Sequence, residues 1–427
     1  MKNIFLFYLV TSSFILLNFN QTITAQTLQE YKEIKGKIID ESSKNVLIFA
    51  DILIKDTNIS TITNSDGMFV LKVPDSLVNK SFVISHLGYQ KKEIKISTFE
   101  NNSKIELTPV ITELKEIEVK SFKDPETLLK LTLKKRSSIY NNDKTLMTAF
   151  YRETIKKRNK SASLSEAILQ IHKQPYGNSR HDDIDLIKSR KSTDYKRLDT
   201  IAVKLQGGPF SNLYTDIIKY PEFIFSSEDL LLYDFKFDKS TRINDNMVYA
   251  ISFKQKREIV EPLFYGKLYI DSETLALINA VFSLNVENRE LASKMYIRKK
   301  PRRVDVYPTE ATYRVNYRNQ NGKWQYAYSN ILLTFKVNWK GKLFNSVYTL
   351  NSEMAITDWE IKDSELTRKR EQIIKPTTIL TDEASGFSDP EFWGEYNIIE
   401  PEKSIESAIE KIKKQLKRSE TNLQISA

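Results

Sequence analysis

The chain has 427 residues, 40% of them hydrophobic, with 22 Phe, 21 Tyr and 4 Trp, enough to build two or three packed cores. It has no Cys, which excludes disulfides, thiol nucleophiles, thiolate metal sites and a lipid-modified cysteine. The formal net charge is +10; for an exported chain this favours anionic headgroups, lipopolysaccharide or acidic glycans as partners and not nucleic acid.

The first residues, MKNIFLFYLVTSSFILLNFNQTITAQ, read as a signal peptide over 1–25. Lys2 supplies a positive start, and the apolar run from Ile4 to Leu17 is shorter than the ~20 residues of a spanning helix. Cleavage is expected after Ala25, leaving Gln26 first. The mature chain is expected in the periplasm or at the outer membrane, with no transmembrane helix.

From Ile34 to Leu107 short alternating segments are separated by turns, as in an all-β sandwich. In FADILIKDT, Ala50, Ile52 and Ile54 share one face. STIT and MFVLKV flank Asn64, Ser65, Asp66 and Gly67. Such a stretch suits either an oxygen-rich metal loop or a hairpin tip. Asp56 and Asn58 do not fit a D-x-[DN]-x-[DN]-G loop. Asp-Gly supplies the positive φ of a tight hairpin, so a fold-marking turn is expected and no metal.

The order G-x-I-x-D, A-D-I-x-I-K-x-T, T-x-S-D-G-x-F and G-Y, carried by Gly36, Asp40, Ala50, Thr57, Thr63, Asp66, Gly67, Phe69, Gly88 and Tyr89, resembles the carboxypeptidase-regulatory-like domain. The resemblance implies a seven-stranded, transthyretin-like sandwich over residues 26–120. It also implies a non-catalytic appendage, common at the N-terminus of Gram-negative envelope proteins, including TonB-dependent receptors.

Residues 121–145 are expected to form a linker helix, with Asp124 as cap and Pro125 in the first turn. From 146 to 400 β-patterning returns, as in YRVNYR and WQYAYSN. SASLSEAILQIHK fits a helix or a strand equally well. The segment YGKLYIDSETLALINAVFSL, through Gly266, Asp271 and Thr274, resembles LolA/LolB-type half-barrels. That implies an antiparallel sheet curved around an apolar cavity. FYRE, GGPF and DPEFWGEYNIIEPEKSIESAI are similar to secreted carboxypeptidase-regulatory-like proteins, which implies an architecture and no chemistry. Residues 401–427 are expected to end the chain in a helix and tail, with Ile405, Ala408, Ile409, Ile412 and Leu416 on one face. That helix packs on the body or meets a membrane surface or partner. The expected fold class is therefore mainly β: a sandwich, a linker helix, a larger half-barrel-like sheet and a C-terminal helix.

Catalytic motifs are absent. The residues three after His86, His172 and His181 are Tyr89, Pro175 and Ile184, so the zinc-carboxypeptidase His-x-x-Glu pattern is missing. HDDID at 181–185 reads as a solvated loop, with calcium as the alternative. There is no G-x-S-x-G elbow and no phosphate-binding glycine loop, and no cofactor is expected. Lys299, Lys300, Arg302 and Arg303 form the densest basic cluster, either an exposed loop or a contact patch for headgroups or acidic glycans. The reading is a non-catalytic exported envelope protein that binds an apolar or lipidic ligand, or a lipoprotein, in its half-barrel. The alternative is a module that recognises envelope proteins or glycans; a hydrolase comes last.

Overall fold

The computed structural model describes residues 31–110, 122–158, 160–193, 208–225, 229–238, 241–243, 246–297, 302–341, 345–362, 372–380, 384 and 392–402. The expected signal peptide with its Ala25–Gln26 junction, Lys299 and Lys300, and the helix expected beyond Glu402 lie outside these residues.

Seven strands open the chain: β1 (Tyr31–Asp40), β2 (Asp51–Ile54), β3 (Ser60–Ile62), β4 (Met68–Pro74), β5 (Ser81–Ser85), β6 (Lys92–Lys95) and β7 (Ser103–Leu107). They form two sheets, β4-β1-β7 and β3-β2-β5-β6. Alternation drives the packing: Ile34 and Ile38 of β1, Ile52 and Ile54 of β2, Phe69, Leu71 and Val73 of β4, and Phe82 and Ile84 of β5 meet in one buried core. Gly36 is required there, because a Cβ would stand 2.7 Å from the Phe69 ring.

The turn at Asn64–Gly67 differs from a hairpin in one respect. It joins β3 to β4, but β3 pairs with β2 and β4 pairs with β1. It is a corner between two sheets. The buried Asn64 side chain holds it: Oδ1 accepts from the Asp66 and Met68 amides, each at 2.9 Å. Gly67 has φ 71°, and a Cβ there would meet the Ile38 carbonyl at 2.8 Å.

Helix α1 (Pro125–Lys134) starts where Asp124 accepts hydrogen bonds from the Glu126 and Thr127 amides, with Pro125 in its first turn. A short α2 (Arg136–Ile139) follows. The remaining elements are β8 (Thr145–Lys157), β9 (Lys160–Lys173), β10 (Asp183–Thr193), α3 (Pro209–Leu213), β11 (Tyr233–Phe237), β12 (Thr241–Ile243), β13 (Asn246–Gln255), β14 (Phe264–Asp271), β15 (Leu277–Leu284), α4 (Arg289–Tyr296), β16 (Val304–Gln320), β17 (Lys323–Trp339), β18 (Ser346–Ile361) and β19 (Ile373–Ile374). Eleven strands follow one path, β11-β13-β14-β15-β16-β17-β18-β8-β9-β10-β19, with β12 beside β13. Every pairing along the path is antiparallel.

Both faces of this sheet are covered at its centre. On the inner face, Leu169, Phe253, Leu268, Tyr317, Tyr326 and Met354 pack with Leu128 of α1, Leu213 of α3 and Ile217, Ile218 and Phe225. On the outer face, Phe150, Ile168, Tyr328 and Ala355 meet Ile62 of the sandwich and Trp393 and Ile399 of the C-terminal stretch. Double coverage explains β9. SASLSEAILQIHK is a strand whose residues are buried on both sides, so its sequence loses the polar alternation of a half-exposed strand.

Candidate functional site

Residues 208–225 lie over the inner face and are fixed there by a buried polar cluster. Asp216 is fully buried; its carboxylate accepts from Lys173 Nζ at 2.7 Å and from the Tyr176 and Tyr317 hydroxyls, each at 2.9 Å. Lys173 also donates to Asp182 at 2.9 Å. Burial pulls the Lys173 ammonium down, but Asp182 and Asp216 outweigh it and hold the group above its ordinary value. Asn212 adds a second anchor: its Nδ2 donates to Ser329 Oγ at 2.9 Å, and its Oδ1 accepts from Ser352 Oγ at 2.8 Å.

This arrangement takes the HDDID stretch apart. Asp182 joins the Lys173 cluster, Asp185 lies 2.7 Å from His172 Nε2, and the His181 ring stacks on Tyr220 at 5.7 Å. Among the described residues no three His, Asp or Glu side chains gather as metal ligands. Arg302 and Arg303 are exposed in the turn before β16.

The sandwich is joined to the outer face by polar contacts. Arg318 of β16 grips Asp51 with two nitrogens, Nε at 2.9 Å and Nη2, and donates from Nη1 to Ser60 Oγ at 2.8 Å. Gln320 donates to the Thr57 carbonyl at 2.6 Å and to Asn58 Oδ1, while its own Oε1 accepts from Trp359 Nε1 at 3.2 Å. The stretch 392–402 runs between the two units and bonds to both. Thr61 donates to the Ile398 carbonyl at 2.9 Å, Asn64 to that of Glu400 at 2.9 Å, and Arg152 to that of Ile399 at 2.7 Å. Arg152 is itself paired with Glu166 at 2.8 Å, and Glu166 with Arg190 at 2.7 Å.

Beside this joint lies a cleft of about 820 Å³. The sandwich contributes Phe49, Asp51, Lys55, Asn58, Ser85 and His86 to its walls. The sheet contributes the β14–β15 turn and the hairpin between β16 and β17. Six amide side chains line it: Asn58, Asn279, Asn316, Asn319, Gln320 and Asn321. Its charges are largely matched. Arg318 is paired with Asp51, Lys55 with Glu93 at 2.8 Å, and Asp271 Oδ1 is taken by the Thr274 amide at 2.7 Å. Two lining residues carry buried polar atoms without a hydrogen-bond partner among the described residues, Asn279 Oδ1 and Trp324 Nε1. Such buried atoms are costly to leave unmade.

The signal these residues leave in the sequence is local: RNQNGKW at 318–324 concentrates four polar planar side chains and a Trp beside one another.

Residues 34–119 match the model of the CarboxypepD_reg-like domain. No curated protein is similar enough in sequence to match the chain. Among solved structures, a DUF1329 family protein from Desulfovibrio piger is similar at 9% identity, over 57% of this chain and 95% of that one, with a TM-score of 0.22. A LolA superfamily protein from Nitrosomonas europaea is similar at 11% identity, over 55% and 94%, with a TM-score of 0.19. Lipovitellin is similar at 7% identity, over 55% and 27%, with a TM-score of 0.26. Among the described residues no helix is long and apolar enough to cross a membrane. The match to the CarboxypepD_reg-like domain falls on the two-sheet sandwich of β1–β7.

Proposed function

We propose that this chain is a non-catalytic, exported binding protein of the cell envelope that takes a hydroxyl-rich ligand, a glycan, in the cleft between the sandwich and the sheet. The observation that carries this reading is the wall of six amide side chains gathered on one cleft. A primary amide offers a donor and an acceptor in one plane, the pattern that vicinal hydroxyls match. Phe49, Trp324 and Tyr328 add aromatic surface to the same walls. The volume lies in the ordinary range of small-molecule sites, roughly 300–1,000 Å³. The signal-like N-terminus supports export.

The test is retention of oligosaccharides released from envelope polysaccharide, identified by mass spectrometry. Ser85 is a half-buried wall residue at the end of β5. Ser85→Trp is expected to fill the cleft and abolish retention while the melting temperature holds. Equal retention by the wild type and a folded Ser85→Trp variant rules the reading out.

A second reading keeps the apolar ligand. The inner face is apolar and aromatic, and the segment over it is built from short pieces, α3 and the turn Pro221–Phe223. A lipid, or the lipid of a lipoprotein, would enter if that segment swung away. Native mass spectrometry of gently isolated protein is then expected to show adducts of lipid mass. The bare chain mass alone, across several isolations, counts against it.

A further inference from the structure

The stretch 392–402 belongs to no strand or helix, and side chains of both units read its backbone. Lys188 of β10 donates to the Phe392 carbonyl at 3.3 Å, and Lys72 of β4 to that of Gly394. Thr61 takes the Ile398 carbonyl, Arg152 that of Ile399 and Asn64 that of Glu400. The Asn397 side chain acts as a strand partner would. Its Oδ1 accepts from the Lys72 amide at 2.7 Å, and its Nδ2 donates to the Lys72 carbonyl at 3.3 Å. β4 is an edge strand of its sheet, so these two bonds cap that edge. From Tyr396 on, burial alternates: Asn397 and Ile399 are buried, while Tyr396, Ile398 and Glu400 are half-buried. Trp393 is also buried, edge-on to Phe150 at 5.6 Å and 4.7 Å from the Arg190 guanidinium.

We propose that the groove between the sandwich and the sheet is a peptide-recognition site, filled here by the chain's own stretch and able to take an extended peptide of the pattern W-x-x-x-N-x-I. The proposal is independent of what the neighbouring cleft binds. The donors of the groove address carbonyls, which every peptide carries, so the backbone supplies affinity. Trp393, Asn397 and Ile399 enter the groove as buried side chains and supply the choice of sequence. The stretch adds no strand to either unit: the strand order of all three sheets is complete without it. Its residues are absent from the main cores of the sandwich and of the inner face, and its buried apolar side chains join only the small cluster of Ile62, Phe150, Ile168, Tyr328 and Ala355. A separate peptide of the same pattern therefore meets the same donors and the same small cluster. Within one chain the tethered stretch has the advantage of its high effective concentration, so the site is self-occupied until that tether is cut.

The test uses the mature chain with a protease site inserted before Asp389, and a fluorescein-labelled peptide of residues 389–403 as the probe, read by anisotropy. Before cleavage the tethered stretch competes, and the probe is expected to bind weakly. After cleavage its affinity is expected to rise at least about tenfold, because the competitor has lost its tether. A probe carrying Trp393→Ala is expected to bind the cleaved chain at least about tenfold more weakly than the native probe, the usual loss for a buried aromatic anchor. Thr61→Val in the chain removes one donor of the groove and is expected to weaken the native probe several-fold. A scrambled probe is expected not to bind. Absence of binding to the cleaved chain overturns the proposal, and so does equal affinity before and after cleavage. Equal affinity for the native and Trp393→Ala probes, or for the native and scrambled ones, overturns it as well. The probe variants are free peptides, so the folding of the chain does not enter those comparisons.

Discussion

Asp216→Ala is expected to cost about 3–5 kcal/mol of folding stability, the usual penalty for leaving one partner of a buried ion pair behind. The argument follows from its partners. Lys173 is buried and would keep only Asp182, while the Tyr176 and Tyr317 hydroxyls would lose the acceptor they share. Each buried donor left unmade adds to the cost. Whole domains are stable by only about 5–15 kcal/mol, so the loss is a large fraction of the total. At 2–4 °C per kcal/mol for a domain of this size, the melting temperature is expected to fall by roughly 6–20 °C. Asp216→Asn keeps an acceptor for the tyrosines and loses the charge, so it is expected to fall between the wild type and Asp216→Ala. Because Asp216 ties residues 208–225 to the sheet, Asp216→Ala is also expected to bind a hydrophobic dye at temperatures where the wild type does not. A melting temperature within error of the wild type sinks this account of how the inner face is closed.

How much of this was written in the sequence depends on how local each feature is. The seven-stranded unit was legible because its strands alternate and its turns carry Asn, Asp and Gly. The cap at Asp124 was legible because it needs only four consecutive residues. The partners of β3 and β4 were not: Asp66-Gly67 announces a turn, and which sheet each flanking strand joins is decided by residues far along the chain. β9 resisted assignment because residues such as Ala167, Ile168 and Leu169 are all buried, two on one face and one on the other. HDDID looked like a cluster because its acids are neighbours in sequence, yet they face different partners.

The cleft was the least legible feature. Asp51, Asn58, Asn279 and Gln320 come from four separate segments, and each taken singly reads as an ordinary surface residue. Only the docking of the sandwich on the outer face brings them together. That docking joins a small apolar cluster around Ile62 to polar pairings through Arg318, Gln320 and the stretch 392–402, and polar pairings between distant segments leave no periodic trace in a sequence.

Glu153→Gln is expected to stabilise the protein at alkaline pH. Glu153 is buried on β8, and its partner among the described residues is the Tyr151 hydroxyl, at 3.0 Å. Burial pushes its carboxyl up from 4.5 to about 7, with the Tyr151 bond opposing the shift. The folded state therefore holds a proton that the unfolded chain releases above about pH 4.5. The stabilising contribution is fully present below that pH and is lost as pH rises through about 7. The difference between the two values corresponds to a loss of about 3 kcal/mol once the pH is above both. Glutamine keeps the shape and a hydrogen-bonding oxygen and has no proton to lose. Denaturant unfolding is then expected to give equal stabilities for the two proteins near pH 4.5, with the variant ahead by up to about 3 kcal/mol at pH 8.5. Parallel curves across that range would remove Glu153 as the source of the slope. Glu353 is raised in the same direction, also by burial, with Arg152 opposing, so part of any slope that survives in Glu153→Gln is expected to be lost on adding Glu353→Gln.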